Sequence, residues 1–67
     1  MLKETLDSFL FYIFAESIVP VSDQDAKKWA LEAASDGLFD IPDNTEWGSV
    51  LSRARVDAQE WIASKNV

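Results

Sequence analysis

Carboxylates are the residues of this chain whose type and spacing could support chemistry, and most of them lie in its middle. Between residues 22 and 46, seven acids stand against two lysines, which gives this stretch a charge of −5 within a chain of net charge −6. Such carboxylates could exchange protons, bind cations or present a negative surface to a basic protein. We predict that they form one acidic face that binds a partner: Asp23, Asp25, Glu32, Asp36, Asp40, Asp43 and Glu46.

The residues that most often perform catalysis or bind transition metals are absent. The chain contains no cysteine and no histidine, so it lacks thiolate and imidazole ligands and the common nucleophile–base pairs. Asp23-Gln24-Asp25 begins like a calcium-binding loop, but the central glycine and closing glutamate of such a loop do not follow. We therefore predict a protein that is not an enzyme, with no catalytic residue, no metal site and no cofactor.

The negative charge argues against direct binding of nucleic acid, because phosphates attract lysine and arginine. Asp36, Asp40, Asp43 and Glu46 follow one another at steps of four, three and three residues. A rigid row of carboxylates can imitate the phosphates of a DNA strand and bind the basic groove of a DNA-binding protein. The alternative interpretation is that these acids cap helices and solvate the surface.

Three helices must position these acids, and the sequence predicts them at about residues 3–18, 23–36 and 44–64. Pro20 ends the first helix, and Ser22 is the predicted N-cap of the second. Gly37 is suited to a left-handed C-terminal position, followed by an apolar contact of Leu38. Asp43 is the predicted N-cap of the third helix. The expected fold is all-α, a compact three-helix arrangement in a single domain over residues 1–67, which could associate as a homodimer.

The first helix is apolar nearly all round. Leu6, Leu10 and their neighbours at helical spacing predict its inner face, and the second helix is expected to turn Ala26, Trp29 and Ala30 inward. Three aromatic residues remain beside or behind the inner face of the first helix: Phe11, Tyr12 and Phe14. They predict either a partner or dimer surface, or a first helix covered on two sides by the other two.

The sequence shows no segment that predicts a membrane span or a secretory signal. The apolar run from Phe9 to Ala15 is too short for a bilayer, and no small-residue cleavage site follows it. We therefore expect no membrane contact. The absence of cysteine fits a cytoplasmic protein.

A resemblance to a known family is carried by Ser22-Asp23-Gln24-Asp25, by Ala33-Ala34-Ser35-Asp36, and by the path through Pro42 to Val50-Leu51-Ser52. In this layout, over about half of its length, the chain resembles phage antirestriction proteins, which are small acidic helical proteins that mimic DNA and block host restriction enzymes. The chain departs from them in being shorter and less acidic. It also carries Arg53 and Arg55, which we expect to be solvated.

The resemblance implies a non-catalytic inhibitor or regulator whose acidic face binds a basic surface of a host nucleic-acid-binding or defence enzyme. The alternative function is a helical interaction or assembly module that associates through Phe11, Tyr12 and Phe14.

Overall fold

The computed structural model describes residues 4–65 and contains three helices there: α1 (Leu6–Glu16), α2 (Asp23–Ser35) and α3 (Trp47–Lys65). No strand occurs among these residues, and the prediction of an all-α, three-helix arrangement is confirmed. The predicted start of the first helix at Lys3 lies outside the described residues. Within residues 4–65, no helix combines the length and the apolar character that a membrane span requires.

Hydroxyl side chains that the sequence analysis did not predict as caps lie at both ends of helix α1. The Thr5 hydroxyl accepts a hydrogen bond of 3.1 Å from the Ser8 amide, which satisfies one of the free amides of the first turn. At the other end, the Ser17 amide donates to the Ile13 carbonyl and the Ser17 hydroxyl donates to the Val19 carbonyl. The helix therefore ends at Glu16, ahead of Pro20, and is shorter than predicted.

Helix α2 has the caps that its sequence predicts. The Ser22 hydroxyl accepts from the Asp25 amide at 3.1 Å. At the C-terminus, Gly37 adopts φ 87°, its amide donates to Ala34, and the Leu38 amide donates to Ala33. This pair of hydrogen bonds is the Schellman motif. The expected apolar role of Leu38 is wrong, because Leu38 is exposed and the next residue, Phe39, is the one buried in the core.

The predicted N-cap of α3 at Asp43 is wrong. The Thr45 amide and hydroxyl both donate to the Pro42 carbonyl, which closes a turn over residues 42–45 that contains Asp43. The first helical hydrogen bond then runs from the Val50 amide to the Glu46 carbonyl at 3.0 Å. The helix consequently begins at Trp47 instead of residue 44.

The core is built around Leu10 and small residues. Leu10 is the largest side chain that the described residues bury completely. α1 packs mainly against α3, and α2 packs more lightly against both of them. The buried residues of α2 are both alanines, and those of α3 are Leu51 and two alanines. The buried residues are Leu6, Leu10, Val21, Ala26, Ala30, Phe39, Leu51, Ala54 and Ala58.

The predicted inward orientation of Trp29 is wrong, because its side chain is 42% exposed. Ala26 and Ala30 are fully buried on α2, and Trp29 lies about 100° around the helix from Ala30. The indole of Trp29 therefore lies at the rim of the core, beside the buried alanine face of α2.

The two glycines provide a matched test of the backbone. We expect Gly37→Ala to lower the free energy of unfolding by about 1–2 kcal/mol, because a Cβ is strained at positive φ. Gly48→Ala should raise it by about 0.5–1 kcal/mol, since Gly48 lies in the first turn of α3 and an added Cβ meets nothing within 4 Å. Urea denaturation followed by tryptophan fluorescence measures both. Equal effects of the two substitutions would contradict the Schellman geometry.

Candidate protein-interaction surface

All seven acids of the predicted acidic face are exposed, and the chain places them on two successive segments. Asp25 and Glu32 lie within about 20° of each other on the outer side of α2, and Asp36, the C-cap residue, continues their line. Asp25 and Asp36 are about 16 Å apart along the helix axis. Lys28 is exposed next to this line, between Asp25 and Glu32. The outer side of α2 therefore carries a stripe of three carboxylates with one neighbouring cation.

The remaining acids lie on the linker between α2 and α3. Phe39 is buried and Ile41 is half-buried, and the exposed Asp40 stands between them. Asp43 is in the turn that precedes α3, and Glu46 accepts the first hydrogen bond of that helix through its carbonyl. Anchoring the linker by its apolar residues therefore leaves its carboxylates in solvent. Among residues 4–65, no group of three or more acids converges closely enough to hold a metal ion.

Asp23 differs from the other acids because it faces α3. It lies about 160° around α2 from Asp25, and its carboxylate forms a salt bridge with the guanidinium of Arg55. The Asp23 side chain keeps 59% of its exposure in this pair. For the rest of the acidic face, the described part of the chain contains no salt bridge to the side chains of Asp25, Glu32, Asp36, Asp43 or Glu46.

Arg55 is a structural residue, and the expectation that it is merely solvated is wrong. Its Nη2 donates to the Val21 carbonyl at 3.1 Å and to the Asp23 carboxylate. Its guanidinium carbon lies 4.3 Å from the centroid of the Phe14 ring. One side chain of α3 thus holds α1, the α1–α2 connection and the start of α2. The available sequence signal was an arginine at the border of the apolar stripe, next to Ala54.

The three aromatic residues predicted as a second partner surface do not form a single face. Phe11 packs edge-on against Trp61 of α3, with ring centroids 6.1 Å apart, and Phe14 lies under Arg55. Tyr12 points away from α3 and is 64% exposed. Phe11 and Phe14 are thus half-buried against α3, and Tyr12 is the exposed member of the three.

An exposed apolar segment lies in the connection between α1 and α2, where the sequence predicted only the end of a helix. Ile18 is completely exposed and Val19 is 68% exposed in the connection from α1 to α2. They border a groove of about 320 Å³ whose lining includes Phe14, Ala58 and Ile62. Because the burial of apolar side chains away from water is favourable in free energy, this surface is a second candidate for contact with a protein.

Comparison of the chain with protein-family models, with curated proteins and with solved structures gave no match.

We expect Arg55→Lys to lower the free energy of unfolding by about 1–2 kcal/mol. Lysine cannot reproduce both the donor geometry toward Val21 and Asp23 and the planar contact with Phe14. The matched control is Arg53→Lys, an exposed position on the same helix, which should stay within about 0.5 kcal/mol of the wild type. The difference in the free energy of unfolding is measured from the midpoints of urea denaturation, provided that both variants keep the m-value of the wild type. If both substitutions proved neutral, Arg55 would not hold these segments together.

Proposed function

We propose that this protein is a non-catalytic inhibitor or regulator that binds a protein partner through its acidic face. The partner is a basic nucleic-acid-binding or defence enzyme of a host cell, and the protein acts on it as a phage-type DNA mimic. One observation carries the proposal. The acids of α2 and the linker are exposed on a chain of net charge −6, and the described residues form no salt bridge to the side chains of Asp25, Glu32, Asp36, Asp43 or Glu46.

Electrostatics supports this kind of contact. A row of exposed carboxylates on a rigid helix produces a negative potential that steers a basic surface and raises its association rate. Nothing on the outer side of α2 except Lys28 offsets the three carboxylates of the stripe. Because the stripe lies on a helix that is capped at both ends, its charges need little reorganisation when a partner binds.

Charge density limits how much DNA the stripe can imitate. About 16 Å of one DNA strand carries about five phosphates, and the same length of α2 carries Asp25, Glu32 and Asp36. The stripe therefore corresponds to a short stretch of one strand, and the linker acids extend it. We infer a partner with a compact basic groove, in the cytoplasm where nucleic-acid enzymes of a bacterial host work.

The test is neutralisation of the stripe. We expect Asp25→Asn/Glu32→Gln/Asp36→Asn to lower partner affinity about tenfold at low salt, because each lost contact between exposed charges contributes up to about 1 kcal/mol. The difference should vanish at about 1 M salt, where the Debye length is about 3 Å. The measurement is capture of partners from bacterial lysate, with elution by salt and competition by duplex DNA.

A matched control removes three exposed acids from the other helices: Asp7→Asn/Asp57→Asn/Glu60→Gln. Both triple variants change the formal net charge from −6 to −3. The control should keep the affinity of the wild type within about twofold. If the two triple variants lose affinity equally, net charge alone is responsible. If neither loses affinity, or duplex DNA does not compete, the mimicry proposal is wrong.

The second candidate function is self-association. The exposed apolar connection between α1 and α2 is a better candidate for the dimer contact than Phe11, Tyr12 and Phe14, which do not form a single face. Ile18 and the groove beside it lie on the same surface, so a twofold axis could place Ile18 of each copy in the groove of the other. A chain of this length also gains stability from burying more apolar area. The candidate is therefore a homodimer joined through this connection.

Sedimentation equilibrium checks the second candidate. We expect Ile18→Ser to shift the wild-type dimer to monomer by at least tenfold in dissociation constant, with unchanged helix content by circular dichroism. The control is Leu31→Ser, an exposed leucine of α2 outside the groove, which should leave the equilibrium unchanged. A wild-type protein that is monomeric at about 1 mM would exclude this candidate.

A further inference from the structure

Three of the six basic residues of this chain lie near the faces of aromatic rings. A lysine or arginine near the face of an aromatic ring is attracted by the negative charge above the ring plane. Three rings at the rim of the core have such a cation: Trp47 with Lys27 at 5.4 Å, Phe14 with Arg55 at 4.3 Å, and Trp61 with Lys65 at 4.8 Å. Phe9 and Phe39 pair with each other at 5.2 Å in the core.

Tyr12 and Trp29 are the exception. Within residues 4–65, neither ring has an aromatic partner or a cation, although both are more exposed than Trp61. Together they line a groove of about 300 Å³ between α1 and α2, which is completed by Ile13, Glu16 and Ser17. The groove thus combines two aromatic surfaces and a carboxylate without any cation of the chain in its lining.

The position of the groove makes it more negative. Glu16 is the last residue of α1, and the last turn of this helix contains no basic residue. The C-terminal end of a helix carries about half a negative charge, which adds to the carboxylate. On α2, Asp25 and Glu32 lie four residues before and three residues after Trp29, on neighbouring positions of the same surface. Lys28 is the one cation beside these acids on α2, so a positive group in the groove meets Glu16, Asp25 and Glu32 against a single lysine.

We propose that this groove binds an arginine side chain of the partner protein. The inference rests on the proposed function, because it names the group that anchors a basic partner on the acidic face. A planar guanidinium can stack on Trp29 or Tyr12 and form two parallel hydrogen bonds with the Glu16 carboxylate. An ammonium group lacks both the planar surface and the paired donors. The groove is accordingly selective for arginine over lysine.

Synthetic peptides test the groove without knowledge of the partner. The probes are hexa-arginine, hexa-lysine and the uncharged isostere hexa-citrulline, titrated against the full chain in 15N-labelled form. The indole N–H signals of the three tryptophans report the location of binding, and Trp29→Leu assigns the signal of Trp29. We expect hexa-arginine to shift the Trp29 signal more than those of Trp47 and Trp61. We also expect it to bind more tightly than hexa-lysine, with no binding of hexa-citrulline.

Substitutions then separate the rings from the charge. Trp29→Leu and Tyr12→Leu should each weaken hexa-arginine binding about two- to fivefold, whereas Tyr12→Phe, which keeps the ring, should not. Glu16→Gln should reduce the preference for arginine over lysine, and this exposed position makes no core contact that the substitution could disturb. Trp61→Leu is the matched control, because the Trp61 ring already has Lys65. Circular dichroism confirms that each variant is folded.

An unmoved Trp29 signal, or equal losses in Trp29→Leu and Trp61→Leu, would overturn the inference. So would equal binding of hexa-arginine and hexa-lysine by the wild type. Failure of the proposed function gives a different result, because partner capture is then indifferent to neutralisation of Asp25, Glu32 and Asp36. If capture depends on those acids but not on Tyr12 or Trp29, the proposed function stands and the arginine groove does not.

Discussion

Close packing of three helices around Leu10 is the constraint on which the rest of this structure depends. Leu10 is completely buried, and the residues that meet it from α2 and α3 include Ala26, Ala30 and Ala54. A short chain without disulfides depends on such a core for its stability. The three tryptophans are not among the buried residues and lie at the rim, where they contact both apolar surface and solvent.

The rim determines how the charges are distributed. Of the six basic residues of the chain, Lys27, Arg55 and Lys65 lie over aromatic rings. Lys27 joins α2 to α3 in this way, and Arg55 holds the start of α2 through Asp23. Lys27 and Arg55 thus connect helices, while the middle segment keeps its negative charge because it contains seven acids and two lysines.

Local structure was predictable where a residue acts through its own backbone. The hydroxyl of Ser22 caps α2, and Gly37 supplies the positive φ that ends it, because both effects operate within a few residues. The same reasoning failed at Asp43, which was predicted as the N-cap of α3. Thr45 hydrogen-bonds to the Pro42 carbonyl instead, and the resulting turn delays the helix to Trp47. Two local patterns competed there, and the sequence offered no measure of which was stronger.

The sequence by itself determined the three helices, the exposure of the acids and the absence of thiol and imidazole chemistry, because periodicity, charge and composition act without long-range contacts. Only the tertiary structure decided which side of each helix is covered. It directed Asp23 toward Arg55, moved Trp29 to the surface and separated Tyr12 from Phe11 and Phe14. These outcomes depend on which helix faces pack together across helices that are far apart in sequence. The packing of side chains in three dimensions, which periodicity along the chain does not specify, decides which faces are covered.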